Sequence, residues 1–286
     1  MLDKEKKTEL RHLAARMRKD IIQMVGIGQP GHIGGSCSAA DIVAVLYGHK
    51  MKHDPKNPKW EDRDKLIMSK GHAAIIQYAA LAEMGYFPTD ELPSLKKLGS
   101  MLQGHPDIHK TPGIEANTGS LGQGLSIATG MALAMRLDGK KGKVYCILGD
   151  GEIAEGQVWE AAMFAGSKKV DNLVAIVDQN RLQAMGKVVD RMDSGPLPEK
   201  WLAFGWNVSE IDGHNMDAIT AALDDARGAN GKPTAIVAHT VKGKGFSFAE
   251  EQVGFHNGAM AEWQYQLGLK EADAALAEFQ QLALTE

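Results

Sequence analysis

Cysteine is scarce: two of the 286 residues, Cys37 and Cys146. Two thiols among small or apolar neighbours exclude a secreted disulfide framework and point to a reduced, cytoplasmic protein. No stretch approaches the ~18 consecutive apolar residues of a membrane helix. The opening MLDKEKKTELRHLAARMRKD is charged throughout and lacks the apolar centre of a signal peptide. Excess positive charge is missing too. The net charge of −4 argues against nucleic acid or an anionic membrane as a principal partner. Internal repeats, low-complexity tracts and clear linkers are likewise lacking, so residues 1–286 are expected to form one domain with a helical tail from about residue 260.

Periodicity supplies the elements. Leu10, Leu13, Met17, Ile21 and Met24 recur every three or four positions, predicting a helix from Thr8 to about Val25. It ends at GIGQPGHIGG, a glycine-rich segment expected to be a loop. Ser38 is then expected to cap a second helix through AADIVAVLYG. KLIMS is a short apolar run, followed by a helical HAAIIQYAALAEMG. Residues 96–119 read as a long irregular connection, the kind that is usually functional when it interrupts a compact domain. SLGQGLSIATGMALAMRL predicts a helix buried all round. Three short blocks rich in β-branched residues, KVYCIL, NLVAIV and TAIVAHT, predict parallel strands covered on both faces. Helical patterns in EGQVWEAAMFAGSKK and MDAITAALDDARGA separate them. Strand–helix–strand at this spacing is a βαβ series, so the expected fold class is α/β, a doubly wound parallel sheet with helices on both faces.

In such sheets ligands bind beyond the carboxyl ends of the strands. LGDGEIAEGQ puts an isolated carboxylate, Asp150, between Gly149 and Gly151 at one such end. NLVAIVDQN delivers Asp178, Gln179 and Asn180 at the next. One βαβ unit takes about 30 residues, so Asp150 and Asn180 are expected side by side. A carboxylate, an amide oxygen and a loop carbonyl form an all-oxygen set suited to Mg²⁺, which commonly shares its shell with phosphates. Gly149 and Gly151 allow close approach of a phosphate, with a helix start available to its charge. Either dipeptide alone is most often an ordinary turn; the pair, one βαβ unit apart, favours a metal–diphosphate site.

GDGEIAEGQ…VDQN resembles the thiamine diphosphate motif, which begins with GDG and ends in Asn just under thirty residues later. GHIGGSCSA, SKGHAA, QGHPD…TPGIEANTGSLGQGLSIATGMALA and TVKGKG…FHNG resemble, in the same order, segments of the N-terminal half of transketolase. The resemblance covers nearly the whole chain. It implies the thiamine diphosphate-binding fold, with Asp150, Asn180 and the carbonyl of Leu182 holding Mg²⁺. It implies cofactor contacts from Gly151, Gly119, Ser120, Leu121, Asn180, His72 and His256. It gives His32 and His105 substrate-orienting and proton-shuttling roles, and places His256 near both cofactor and substrate. Ile33 stands where many relatives have proline. Glu155, and Glu160 behind it, match acids near the interface between cofactor sites, and Glu155 counts among the catalytic candidates; acids near a helix N-terminus are also simply favourable.

Four of the ten histidines, His32, His72, His105 and His256, lie in loops or at helix starts beside small residues. A fold that gathers loops at one sheet edge would assemble four groups that titrate near neutrality. His12, His49, His53, His109, His214 and His239 read as surface, core or turn residues. GIGQPG spells the dinucleotide pattern GxGxxG but follows a helical segment, so it is set aside. TVKGKGFSF lacks the Walker pattern, leaving Lys242 and Lys244 facing either a phosphate or solvent.

The family's activating glutamate belongs to a pyrimidine domain for which this sequence has no counterpart. The resemblance therefore implies a split transketolase whose other half, a pyrimidine domain plus C-terminal domain, is separately encoded, in a heterotetramer of two copies of each. The implied reaction moves a two-carbon ketol unit from a ketose (phosphate) to an aldose (phosphate). Pentose phosphates are the default substrates, with sulfonated or branched sugars equally compatible. Other expectations are a protein like the alpha chain of a 2-oxo acid dehydrogenase, a deoxyxylulose-phosphate synthase-like protein, or a non-catalytic module binding cofactor or partner.

Overall fold

The computed structural model describes residues 2–228 and 231–284. Among the described residues, seven strands are β1 (Lys65–Met68), β2 (Val144–Gly149), β3 (Leu173–Gln179), β4 (Leu182–Gln183), β5 (Gly186–Lys187), β6 (Asn207–Asp212) and β7 (Thr234–His239). The helices are α1 (Lys4–Val25), α2 (Ile33–Ser38), α3 (Ala40–Val45), α4 (Ala74–Glu83), α5 (Gln123–Leu137), α6 (Gly156–Ser167), α7 (Val188–Arg191), α8 (Leu197–Ala203), α9 (Met216–Gly228) and α10 (Glu262–Leu284). Ala229, the last residue of one expected helix, lies outside the described residues. Five strands form one parallel sheet in the order β1-β2-β3-β7-β6. β4 and β5 make a small antiparallel hairpin beyond the end of β3.

Alternation along the central strands explains their unbroken apolar sequences. In β2, Tyr145 and Ile147 enter the core shared with α1, α3, α4 and α9. Val144, Cys146 and Leu148 enter the opposite core with α5, α6 and α8. Both faces are covered, so no polar position is left to break the run. Gly166 lets α6 meet the end of α8: a Cβ there would lie 1.8 Å from the Phe204 carbonyl oxygen.

The α/β doubly wound architecture is as expected; two edge strands are added to it and two local expectations change. KLIMS contains β1, an edge strand of the same sheet. NVSEID, to which the sequence pattern assigned no element, forms β6 at the other edge, with Glu210 and Asp212 exposed. The second helix begins at Ile33 rather than after Ser38, and Ser38 caps nothing: its hydroxyl donates to Asp178 Oδ2 at 2.6 Å. Finally, α5 is buried on one side only. Leu125, Ala128, Ala132 and Met135 face the core, whereas Leu137 is 87% exposed. Small residues allow close helix packing, and here they do so on one face.

The 96–119 segment is irregular throughout but pinned. Tyr78 Oη donates to the carbonyls of Gln103 and His105, both at 3.0 Å, and Thr111 Oγ1 donates to Met101 O at 2.7 Å. Among the described residues, no helix is long and apolar enough to cross a membrane.

Candidate active site

β2 and β3 run in register from Val144↔Leu173 to Gly149↔Asp178, so the residues just beyond them, Asp150 and Asn180, emerge at one edge. Both are buried. Asp150 Oδ1 accepts from Gly151 N at 2.8 Å, and Oδ2 accepts from Arg181 N. Asn180 Oδ1 accepts from Leu182 N at 3.1 Å. Arg181 takes a positive φ of 66°, turning the chain so that Leu182 follows at the same edge. Asp150, Gly151, Asn180, Leu182, Leu121, His72 and His256 all line one cavity of about 130 Å³.

The four loop histidines come together. His32 lies 5.0 Å from His72, 5.6 Å from His256 and 6.5 Å from His105 between ring centroids, and His72 lies 5.1 Å from His256. Backbone contacts set the convergence. Gly28 N donates to Met260 O at 2.9 Å and Gly31 N to Gly258 O at 3.0 Å, tying the His32 segment to that of His256. Gly71 packs against the 118–119 backbone, where a Cβ would come within 2.6 Å of Gly119 N, and a Cβ on Gly119 would meet His105. Ser120 is exposed beside them.

Three of these imidazoles are held well below the neutral range, contrary to expectation, and the fourth is shifted in the same direction. Burial, then His256, pushes His32 down to about 4; burial, then Lys242, takes His256 to about 4. Burial, then Lys70, lowers His72 to about 2. His105 is lowered by burial and by Lys96. All four are neutral at pH 7, each offering one N–H and one lone pair.

The two lysines of TVKGKG part company. Lys244 pairs at the surface with Glu250 at 3.4 Å. Lys242 is 2% exposed, and its Nζ contacts Leu182 O at 2.7 Å and His256 Nδ1 at 3.0 Å. Burial, then Lys70, lowers it to about 8. Glu155 does not join the histidines: it is exposed at the start of α6, as is Glu160 one turn on. His214 does more than shape a turn. Its Nδ1 meets Asp41 Oδ2 at 2.7 Å and its Nε2 accepts from Val241 N at 2.9 Å, within a buried Arg18–Asp41 network.

Sequence reasoning missed two residues. Glu152, 3% exposed, accepts from Ser69 Oγ and from the backbone N–H groups of Gly122 and Gly149, both at 2.9 Å. Lys70 is buried against Asp178 and donates to Gly35 O at 2.6 Å. Each hid within a quoted motif, GDGE and SKGH; a charge beside glycines at a strand end was the available signal.

The donors fit a hard cation. Burial, then the Asp178 carboxylate, raises Asp150 to about 6, as for a carboxylate short of positive charge. An ammonium, Lys242, stands on the Leu182 carbonyl. No group of three or more His, Cys, Asp or Glu is poised for a metal among the described residues, which leaves the mixed oxygen set. That set suits Mg²⁺ rather than a soft metal. A Cβ on Gly151 would meet Gln183 Oε1 at 2.9 Å and Gln183 Cβ at 3.0 Å, so a larger residue there requires the Gln183 side chain to shift.

Residues 9–272 match the family model described as transketolase, thiamine diphosphate binding domain. The chain belongs to the transketolase family. It is 46% identical over 269 residues to the 6-deoxy-6-sulfo-D-fructose transketolase subunit SqwG of a Clostridium species, covering 94% of this chain and 98% of that protein. It is 39% identical over 263 residues to an apulose-4-phosphate transketolase subunit of Phocaeicola vulgatus, covering 92% and 93%. Among solved structures, the transketolase of Campylobacter jejuni superposes with a TM-score of 0.84 at 31% identity, over 97% of this chain but 46% of that one. The chain thus spans about half the length of these transketolase structures. It is a transketolase-type, thiamine diphosphate-binding N-terminal subunit.

Proposed function

We propose that the whole chain forms one diphosphate-binding domain of a two-subunit transketolase. Its partner is a separately encoded protein carrying the pyrimidine and C-terminal domains, and the assembly is a heterotetramer of two copies of each. The observation that carries this reading is the gathering, at the ends of β2 and β3, of three oxygen donors beside four imidazoles from separate loops. It is supported by relatives similar over almost their full length being named transketolase subunits.

In this reading Asp150, Asn180 and the Leu182 carbonyl hold Mg²⁺, and Gly151, His72, Gly119, Ser120, Leu121, Asn180 and His256 contact thiamine diphosphate. When bound, the cofactor supplies the nucleophilic carbon that accepts and returns a two-carbon ketol unit. The chain's own residues supply the rest. His32, half-buried, and His105, exposed, donate N–H groups to substrate hydroxyl and carbonyl oxygens and accept protons at the other ring nitrogen, while His256, whose Nδ1 faces the Lys242 ammonium, donates from Nε2. Lys242 keeps a positive charge at the cavity wall, where an anion is stabilised with little screening. Glu155 acts from the surface, toward the neighbouring protein. The donor is a ketose with a terminal anion, phosphate or sulfonate, in keeping with the names of the relatives, and the acceptor an aldose. Buried free thiols at Cys37 and Cys146 suit the reducing cytoplasm.

The test is reconstitution. The purified chain, Mg²⁺ and thiamine diphosphate should give no ketol transfer until a pyrimidine-domain partner is added. Asp150→Ala should abolish that activity while leaving assembly with the partner intact. Substantial turnover by the chain alone would refute the split site.

A further inference from the structure

Resting on that reading, we propose that Asp178 is a positioning residue: through a buried cluster anchored by Lys70, it fixes the orientation of the Asn180 amide so that Oδ1 is presented for the metal. Asp178 is fully buried near the end of β3. Its two oxygens accept from four donors: Lys70 Nζ, Ser38 Oγ at 2.6 Å, Thr240 Oγ1, and Asn180 Nδ2 at 3.3 Å. Lys70 comes from the turn after β1, Ser38 from the end of α2 and Thr240 from the residue after β7. Three chain segments thus converge on one carboxylate directly beneath the candidate cofactor loops.

An asparagine amide has nearly the same shape in either orientation, and its hydrogen-bond partners decide between them. With Nδ2 on Asp178, Oδ1 accepts from Leu182 N. Turned over, Oδ1 would face the Asp178 carboxylate, acceptor against acceptor, and Nδ2 would face the Leu182 N–H, donor against donor. Both contacts select the same orientation, and the stronger selector is the one bearing charge. Lys70 holds that charge in place while its remaining reach is spent on the Gly35 carbonyl. A neutral side chain at position 178 would remove the penalty on the turned-over amide, which offers a cation an N–H₂ instead of an oxygen.

A purely structural role would act on loop rigidity alone, so the experiment separates the two. Thiamine diphosphate is titrated into the reconstituted complex at graded MgCl₂, following intrinsic tryptophan fluorescence, with thermal melts of each variant. Asp178→Asn should raise the Mg²⁺ concentration for half-saturation roughly 10–100-fold, the range for partners that orient metal ligands. Because that variant leaves Lys70 buried without its counter-charge, the double variant Lys70→Met/Asp178→Asn is measured beside it and should show the same loss. Thr240→Val removes a donor from the cluster without touching its charge. It should lower the melting temperature yet leave the Mg²⁺ requirement within about threefold of wild type. The proposal is overturned if folded Asp178 variants need no more Mg²⁺ than wild type, or if Thr240→Val weakens Mg²⁺ binding as much as they do. Failure of both Asp178 variants to fold also overturns it, since the cluster would then be a requirement of the fold. Absence of Mg²⁺-dependent cofactor binding in the wild-type complex would instead sink the underlying functional reading.

Discussion

Truncating Glu152 to alanine would strip one acceptor group from three chain segments at once. Its carboxylate receives Ser69 Oγ from the end of β1, Gly122 N from the loop entering α5, and Gly149 N from the end of β2. Each buried donor left unpaired costs about 1–3 kcal/mol, though a water admitted into the vacated space could satisfy some of that loss. Burial raises the Glu152 carboxyl above its ordinary range, so part of the favourable interaction is already offset by desolvation of the charge. The net expectation for Glu152→Ala is a loss of about 3–5 kcal/mol. Glu152→Gln discriminates further. Its single oxygen can serve Ser69 and Gly122, while its amide N–H₂ must face the Gly149 N–H, so one bond of three is lost, about 1–3 kcal/mol. Urea denaturation of both variants gives these values, and hydrogen exchange at the Gly122 and Gly149 amides shows whether the predicted bonds are those released. Glu152→Ala within about 1 kcal/mol of wild type, or Gln as damaging as Ala, would refute the reasoning.

The remaining expectations concern packing and protonation. Gly166→Ala, with its Cβ 1.8 Å from the Phe204 carbonyl, should cost at least about 3 kcal/mol or prevent folding, because backbone on backbone cannot yield as a side chain does. Gly130→Ala, in α5 with nothing within 4 Å of the new methyl, should instead stabilise by roughly 1 kcal/mol; thermal melts compare the two. His32, His72 and His256 have folded pKa values depressed below the ordinary 6.5. The unfolded chain therefore takes up their protons first, and stability should fall as pH drops from about 6.5 towards 4. Histidine NMR should show no titration of these rings between pH 6 and 8. Lys96→Met should move the His32 and His105 titrations upward, since the Lys96 charge disfavours a second cation at both; unchanged titrations would mean the lysine is screened from them.

What the sequence determined by itself was the scaffold and the placement of Asp150 beside Asn180. The unbroken apolar runs of β2, β3 and β7 require cover on both faces, and the βαβ spacing puts Asp150 beside Asn180, because period, length and chain handedness are local rules. The edge strands β1 and β6 escaped: one is only four residues long, and the other, NVSEID, lacks the apolar run of the central strands and exposes Glu210 and Asp212. What only the tertiary structure decided was everything that depends on loops meeting across the sheet edge. The distances among His32, His72, His105 and His256, their loss of charge at neutral pH, and the separate fates of Lys242 and Lys244 follow from burial among neighbours distant in the chain. So do the roles of Glu152, Lys70 and Asp178. A charged side chain in a glycine turn looks like a solvated turn residue until the fold removes its water, and then it must find partners or pull them in.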